Sequence, residues 1–318
     1  MINNYQKEKE DRYTSTGGKL LHHPDALKWL KSKIGRPISL QISPTSKCNL
    51  NCVFCSNVNR SKDEALEVHT IYNLLEDMRN LGAKTVEWTG GGDPTLYSEI
   101  NKVIRYAHTI GYLQGFITNG ILLAEKVGQK NLDFLHWVRI SMNCLDYIKE
   151  IKMPNYGGTL GFSYVMNAET TPIVLENLNR YVRQYSPAYV RIVPNCQTTQ
   201  EEQESSNRIL SEIVADWGHP YFYQAKKFAR PKNCWWCYIK PFINHDGYVY
   251  PCSSIVLNLD ADKQFHEKYR WCKIEELKAK YSSSMVPFDP KDCSHCVFKS
   301  QNDLIESIIN PSGMEDFV

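Results

Sequence analysis

Cys48, Cys52 and Cys55 stand at C-x3-C-x2-C spacing in the run Ser46-Lys47-Cys48-Asn49-Leu50-Asn51-Cys52-Val53-Phe54-Cys55. Thiolates are the ordinary ligands of iron–sulfur clusters, and a cubane has four irons to hold. Three ligands on one tight loop leave one iron able to coordinate something other than protein. The alternative is a zinc loop. Zinc sites usually pair C-x2-4-C units and close the shell with a fourth Cys or His, and the histidine nearest this loop is His69.

The other cysteines are unevenly spread. Cys234, Cys237, Cys252, Cys272, Cys293 and Cys296 crowd the last third, while Cys144 and Cys196 stand alone. The opening residues, MINNYQKEKEDRY, are polar and lack the apolar stretch of a signal peptide. No run approaches the ~20 apolar residues that cross a bilayer. The chain therefore reads as cytosolic, with no membrane partner. In that compartment thiols stay reduced, so two metal loci explain the cysteines better than disulfides do. The net charge of +2 gives no global field to steer the chain to nucleic acid. A local patch would still serve, so nucleic acid stays open as a partner.

These loci need elements to position them. From Pro37 to Asn195 strand-like and helix-like patterns alternate. The β-rich runs are Ile38–Ile42, Thr85–Trp88, Gly115–Thr118, Trp137–Met142, Leu160–Val165 and Tyr189–Val193. His69–Leu81, Ser98–Ile110 and Ile173–Tyr185 carry apolar residues at helical spacing. Such alternation predicts a parallel sheet with crossover helices. Six units suit a partial, TIM-like (β/α)6 barrel with an open side. The segment 143–159 holds Pro154, Gly157 and Gly158, so it is a short helix or a loop. The expected organisation is a polar tail and short helix at 1–36, the barrel at 37–199, a linking helix at 200–227, and a Cys-rich hairpin-and-helix domain at 228–318.

Parallel-sheet folds place their sites at the C-terminal ends of strands. The first strand ends just before the three-Cys loop. The second ends in Thr89-Gly90-Gly91-Gly92-Asp93-Pro94, where glycines let backbone approach a ligand and Asp93 offers a carboxylate to a cationic amine. The third ends in Thr118-Asn119 and the fourth in Ser141-Met142-Asn143. Their hydroxyls and amides suit ribose or a carboxylate; capping and turn formation are the other uses of such residues.

Taken together, these motifs resemble the radical S-adenosylmethionine superfamily over roughly residues 37–194. The resemblance rests on the three-Cys motif, with aromatic Phe54 before its last Cys. It implies a six-unit partial barrel and a 4Fe–4S cluster on Cys48, Cys52 and Cys55. The open iron of that cluster would chelate the amine and carboxylate of S-adenosylmethionine. Gly91-Gly92-Asp93 is similar to the family's Gly-Gly-Glu, which contacts the methionine amine. Phe54 would lie by the adenine. Thr118, Asn119, Ser141 and Asn143 would be later-strand contacts, Asn143 standing where the family often has Asp. One electron, from an external flavodoxin- or ferredoxin-like donor, would cleave the sulfonium to a 5′-deoxyadenosyl radical that abstracts hydrogen from substrate.

The run Cys234-Trp235-Trp236-Cys237, then His245-Asp246-Gly247, then Cys252 resembles the start of the SPASM/twitch auxiliary-cluster extension of that superfamily. A hairpin at Gly247 would return Cys252 to Cys234, and Cys293 and Cys296 add a C-x2-C pair. The resemblance implies a single, twitch-like auxiliary 4Fe–4S cluster on Cys234, Cys252, Cys293 and Cys296. Cys237 fits the spacing almost as well as Cys234. A four-cysteine zinc ribbon is the alternative for this locus, and Cys272 reads as core. Cys196, after the sixth strand, and Cys237 are candidate hydrogen donors to a substrate radical; packed cysteine is the alternative for both. Arg191 on the sixth strand is placed to meet a carboxylate in the barrel or to form a structural ion pair. The substrate classes that the family implies are a peptide, favoured here, a nucleotide or nucleic-acid base, and a sugar or aminocyclitol. A zinc or nucleic-acid-binding protein without activity is the contrasting reading.

Overall fold

The computed structural model describes residues 4–257, 267–293 and 296–316. Six parallel strands form where the sequence places them: β1 (Ser39–Ile42), β2 (Thr85–Trp88), β3 (Leu113–Thr118), β4 (Trp137–Ser141), β5 (Thr159–Met166) and β6 (Tyr189–Pro194). They pair in chain order. Helices α3 (Val68–Asn80) and α4 (Ile100–Thr109) cross over after β1 and β2. Between β3 and β4 lie two single turns, α5 (Leu123–Lys126) and α6 (Gln129–Leu132). After β4 the crossover is only a 3-10 segment, Met142–Asp146, as the Pro- and Gly-bearing link requires. Helix α7 (Pro172–Tyr185) begins at Thr171, whose hydroxyl caps Val174, and Pro172 sits in the first turn, where its missing N–H costs nothing. Helix α8 (Gln200–Trp217) starts on a capping box made by Thr199 and Glu202.

The sheet extends further than six strands. β7 (Tyr221–Tyr223) pairs in parallel with β6, matching Arg191 to Phe222. A three-residue run after a helix gives no period to read, so the sequence shows only the helix. At the other edge β8 (Phe242–Ile243) runs parallel to β1, matching Ile42 to Ile243. The hairpin continues into β9 (Tyr248–Tyr250) and β10 (Cys272–Lys273), both antiparallel to their neighbours. The order β10-β9-β8-β1-β2-β3-β4-β5-β6-β7 has two free ends, so the barrel is partial. The C-terminal region thus grows out of the same sheet. Helices α9 (Leu277–Ser282) and α10 (Lys299–Ile309) complete it.

Alternation assigns the faces. Leu40, Ile42, Val86, Trp88, Val138 and Ile140 are buried beneath the outer helices. The residues between them, Gln41, Glu87, Arg139 and Ser141, face the lumen and keep some solvent contact. The base of the lumen is filled by rings. Gly115 must be glycine, because a Cβ there would strike the Trp137 indole, and Tyr13 stacks on Tyr189 with centroids 4.2 Å apart. Tyr13 belongs to α1 (Asn4–Tyr13), which forms where the sequence suggested only a polar tail. Its Gln6 accepts the N–H of Tyr223 at 2.8 Å and so satisfies a donor on the edge strand β7. Polar helices of this kind are held by tertiary contact rather than by an apolar stripe, which is why periodicity misses them. Helix α2 (Pro24–Lys31) buries Ala26 and Leu30, and α10 packs against it.

Candidate active site

Cys48, Cys52 and Cys55 follow β1 on a loop that the rest of the rim holds from several sides. Segment 44–46 is closed by the returning chain: Ser46 N–H donates to the Glu64 carbonyl at 2.9 Å, and Leu66 N–H to the Pro44 carbonyl at 2.9 Å. Arg60 clips the loop, donating from Nε to the Ser46 carbonyl at 2.8 Å and from Nη1 to Cys55 Sγ at 3.6 Å. Asn119 donates to Asn49 Oδ1 at 2.7 Å and, more weakly, to Cys48 Sγ at 3.9 Å. The Tyr147 hydroxyl receives the Val53 N–H at 3.0 Å and hydrogen-bonds the Cys52 side chain. Arg60 and Tyr147 were not singled out from sequence. An isolated Arg and Tyr carry no motif, and only the fold brings Tyr147 to the loop.

All three thiols are half-buried. Burial, then the neighbouring thiols, pushes Cys52 up to about 12, and burial raises Cys48 as well. Such a set favours thiolate only when a positive metal group offsets the charge. Three thiols on one half-buried loop are the donor type that an iron–sulfur cluster takes, so the residues present fit that group.

The glycine turn lies directly against the base of this loop. Gly92 N–H donates to the Thr45 carbonyl at 3.1 Å and Asp93 N–H to the Lys47 carbonyl at 2.7 Å. A Cβ on Gly92 would collide with the Lys47 carbonyl, so the approach demands glycine. Asp93 is 3% exposed. Its carboxylate receives Thr95 N–H at 3.0 Å, Thr95 Oγ1 at 2.6 Å, Thr118 Oγ1 at 2.8 Å and Asn119 N–H at 2.7 Å. The sequence reading offered this carboxylate to an amine; the structure places it as the pin between the ends of β2 and β3. Thr118 is spent on the same pin, accepting Gly120 N–H at 3.1 Å in return. Asn143 is 1% exposed and mimics a strand neighbour. It receives Val165 N–H at 2.7 Å and donates to the Val165 carbonyl and to Asp146 Oδ2, both at 2.9 Å. Ser141 is half-buried on the lumen side, and Phe54 is half-buried on the loop.

A further link runs from the glycine turn to the C-terminal hairpin. Gly91 N–H donates to Ser43 Oγ at 2.6 Å, and Ser43 Oγ lies 3.1 Å from His245 Nδ1. Burial pushes His245 down to about 4, so its ring is neutral. With Nε2 facing Glu64 at 3.6 Å, the proton belongs on Nε2 and Nδ1 accepts from Ser43. The sequence shows His245 only as part of a turn. Its folded affinity for a proton lies below the 6.5 of a free imidazole. The stability it contributes is therefore complete above about pH 6.5 and is lost as pH falls towards 4, because the unfolded chain takes up a proton that the buried ring refuses. This amounts to about 3 kcal/mol. Urea midpoints at pH 7 and 4.5 should show that His245→Gln falls less with acid than the parent does.

The second locus is a small pocket lined by Cys234, Cys252, Cys293 and Cys296, with Trp236 and Phe298 among its apolar walls. Residues 294 and 295, between the last two cysteines, lie outside the described residues. Cys234 pairs with Phe288 through two backbone hydrogen bonds of 3.1 and 3.0 Å. Asn302 on α10 receives the N–H groups of Trp235 and Trp236 at 2.7 and 2.9 Å, fixing the turn that aims Cys234. Burial drives Cys293 and Cys296 up to about 12 and raises Cys252 well above the ordinary thiol range. Cys234 is the exception: hydrogen bonds from the Cys237 thiol, nearby backbone N–H groups and Asn302 lower it. Cys237 does not line the pocket and is 0% exposed. It sits as the proton donor beside Cys234 and not at a surface a substrate reaches. Cys272 and Cys144 are packed in the core. Cys196 is half-buried beyond β6, close enough to Lys226 and Arg191 for both to act on its thiol.

Residues 42–146 match the family model described as the radical SAM superfamily. That region belongs to the radical SAM superfamily, and the fold of the chain around it is similar to those of the solved structures below. GTP 3′,8-cyclase of Clostridium perfringens (strain SM101 / Type A) is 34% identical over 131 residues, 38% of this chain and 40% of the relative. A probable GTP 3′,8-cyclase of Pyrococcus abyssi is 34% identical over 129 residues, 39% of this chain and 40% of the relative. The similarity thus spans about 40% of the length of these curated relatives. Among solved structures, Streptococcus suis SuiB bound to S-adenosylmethionine aligns over 90% of this chain and 78% of its own, at TM-score 0.55 and 15% identity. anSMEcpe with bound AdoMet and Kp18Cys peptide aligns over 77% of this chain and 80% of its own, at TM-score 0.52 and 15% identity. Among the described residues no helix is long and apolar enough to cross a membrane.

Proposed function

We propose that this radical SAM enzyme abstracts hydrogen from a peptide substrate and holds an auxiliary 4Fe–4S cluster on Cys234, Cys252, Cys293 and Cys296. The observation that carries the auxiliary cluster is the convergence of these four thiols on one apolar pocket. Cys48, Cys52 and Cys55 would hold the loop cluster, which would supply the one-electron chemistry that cleaves S-adenosylmethionine, with a flavodoxin- or ferredoxin-like protein as the donor. Arg60, Asn119 and Tyr147 orient its ligand loop. Gly91 and Gly92 bring backbone to the rim, Asp93 with Thr118 keeps the rim rigid, and Ser141 and Phe54 remain for the ribose and adenine. Peptide is favoured because the SuiB and anSMEcpe folds, which cover most of this chain, are seen with peptides bound. The GTP 3′,8-cyclase relatives support a nucleotide as the second reading.

Anaerobic reconstitution should give about eight irons per chain, four at each locus. Reduction with S-adenosylmethionine should release 5′-deoxyadenosine, and deuterium should pass into it from a labelled substrate peptide. A colourless, zinc-loaded protein would defeat the proposal; deuterium transfer from a nucleotide alone would move it to the second reading. Cys234→Ser should lower the iron count to about four, whereas Cys237→Ser should keep about eight. The reverse result, read by iron assay and electron paramagnetic resonance, would exchange their roles.

A further inference from the structure

The lumen beneath the rim holds cations that no described residue pairs as a counter-ion. Arg139 on β4 and Arg191 on β6 occupy inward positions of the alternation. Arg191 is in register with Ser163, and Ser163 with Ser141, so its side chain starts at the level of the rim. Its Nη1 donates to Gln224 Oε1 at 3.1 Å, which places Gln224 in the lumen too. Gln224 N–H continues the β6–β7 ladder by donating to the Ile192 carbonyl at 2.9 Å. Two residues on, Lys226 is fixed by Asn207 of α8, which receives its N–H at 3.0 Å and donates to its carbonyl at 2.7 Å.

None of these three cations forms an ion pair with a described residue, whereas Lys240 in the same lumen holds Glu87 at 2.6 Å. Among the described residues, the Nε atoms of Arg139 and Arg191 are buried without a hydrogen-bond partner. The cations also oppose one another. Burial and then Arg139 pull Arg191 down to about 9, and burial and then Arg191 pull Lys226 down to about 8. Of the carboxylates that act on the group, Glu87 is committed to Lys240, and Glu10 reaches Lys226 only through space. Gathering like charges inside a protein is costly unless a counter-charge arrives. Two guanidinium forks and an ammonium are the donors that bind carboxylate or phosphate oxygens best.

We propose that Arg139, Arg191 and Lys226 form a site in the barrel lumen for an oxyanion carried by the substrate, a carboxylate or a phosphate. As a statement about substrate it rests on the radical-enzyme reading; as an anion site it stands apart from that reading. The anion would lie below the open rim, with Cys196 beside it, so the rest of the substrate would extend up towards Ser141 and the three-Cys loop.

The test uses the reconstituted full chain at fixed ionic strength, titrated with inorganic phosphate and separately with glutarate. One of these should bind saturably, at one site per chain, with S-adenosylmethionine present. Arg191→Gln and Lys226→Gln should each weaken that binding at least tenfold, while Lys130→Gln, on the outer surface, should not. In the parent protein the same anion should slow acetylation of Lys226, read by mass spectrometry, and leave that of Lys232 unchanged. The acetylation readout needs no variant to fold. The preferred anion separates a carboxylate source from a phosphate source. Absence of saturable binding, unchanged binding in both variants, or displacement of the anion by S-adenosylmethionine would overturn the proposal. Failure to release 5′-deoxyadenosine would instead count against the radical reading and leave the anion result intact.

Discussion

Cys52→Ala should remove the loop cluster and bring 5′-deoxyadenosine release to background. The iron count should fall from about eight to about four, because the auxiliary locus keeps its own four thiols. The effect is large because two thiolates cannot replace three, and burial favours the neutral thiol at Cys48 once the cluster is gone. The fold should survive, since the loop sits outside the hydrophobic core and is held by Arg60, Asn119 and Tyr147 from elsewhere. Iron assay, far-ultraviolet circular dichroism and product chromatography on one preparation check all three statements. A variant that still cleaves S-adenosylmethionine at the parental rate would remove Cys52 from the ligand set.

Asp93→Ala should be the most destabilising single change at the rim. Its carboxylate serves the backbone N–H groups of Thr95 and Asn119, both in buried residues, along with two threonine hydroxyls. The hydroxyls can turn to other acceptors, but the N–H groups cannot. Each buried donor left unpaired costs about 1–3 kcal/mol, so a loss of roughly 3–5 kcal/mol is expected. Urea titration of the reconstituted protein measures it. S-adenosylmethionine affinity should fall too, because the pin holds the glycine turn beside the three-Cys loop. A loss below about 1 kcal/mol would show that water replaces the carboxylate.

The strands were legible because each is an apolar run closed by a turn, and the three-Cys loop because its ligands are contiguous. The gathering of Cys234, Cys252, Cys293 and Cys296 was legible as a resemblance, and the pocket supplies the geometry for it. What sequence could not show is how polar groups are used up. Asp93, Thr118 and Asn143 carry the residue types of ligand contacts, yet each spends its hydrogen bonds on neighbouring strands. Whether a carboxylate faces a ligand or a backbone amide depends on a few ångströms of tertiary approach. Nor could spacing reveal β7, three residues long, or His245, whose partner Ser43 lies far away in the chain.

The parallel pairing of β8 with β1 bears on how this molecule is dissected. Cutting the chain after α8 to obtain the barrel strands alone would strip one edge of β1, leaving without a partner the N–H groups of Gln41 and Ser43, which now donate to the Pro241 and Ile243 carbonyls. A bare ladder of that kind recruits other chains. Such a fragment should precipitate or self-associate, and expression trials are better directed at the intact polypeptide.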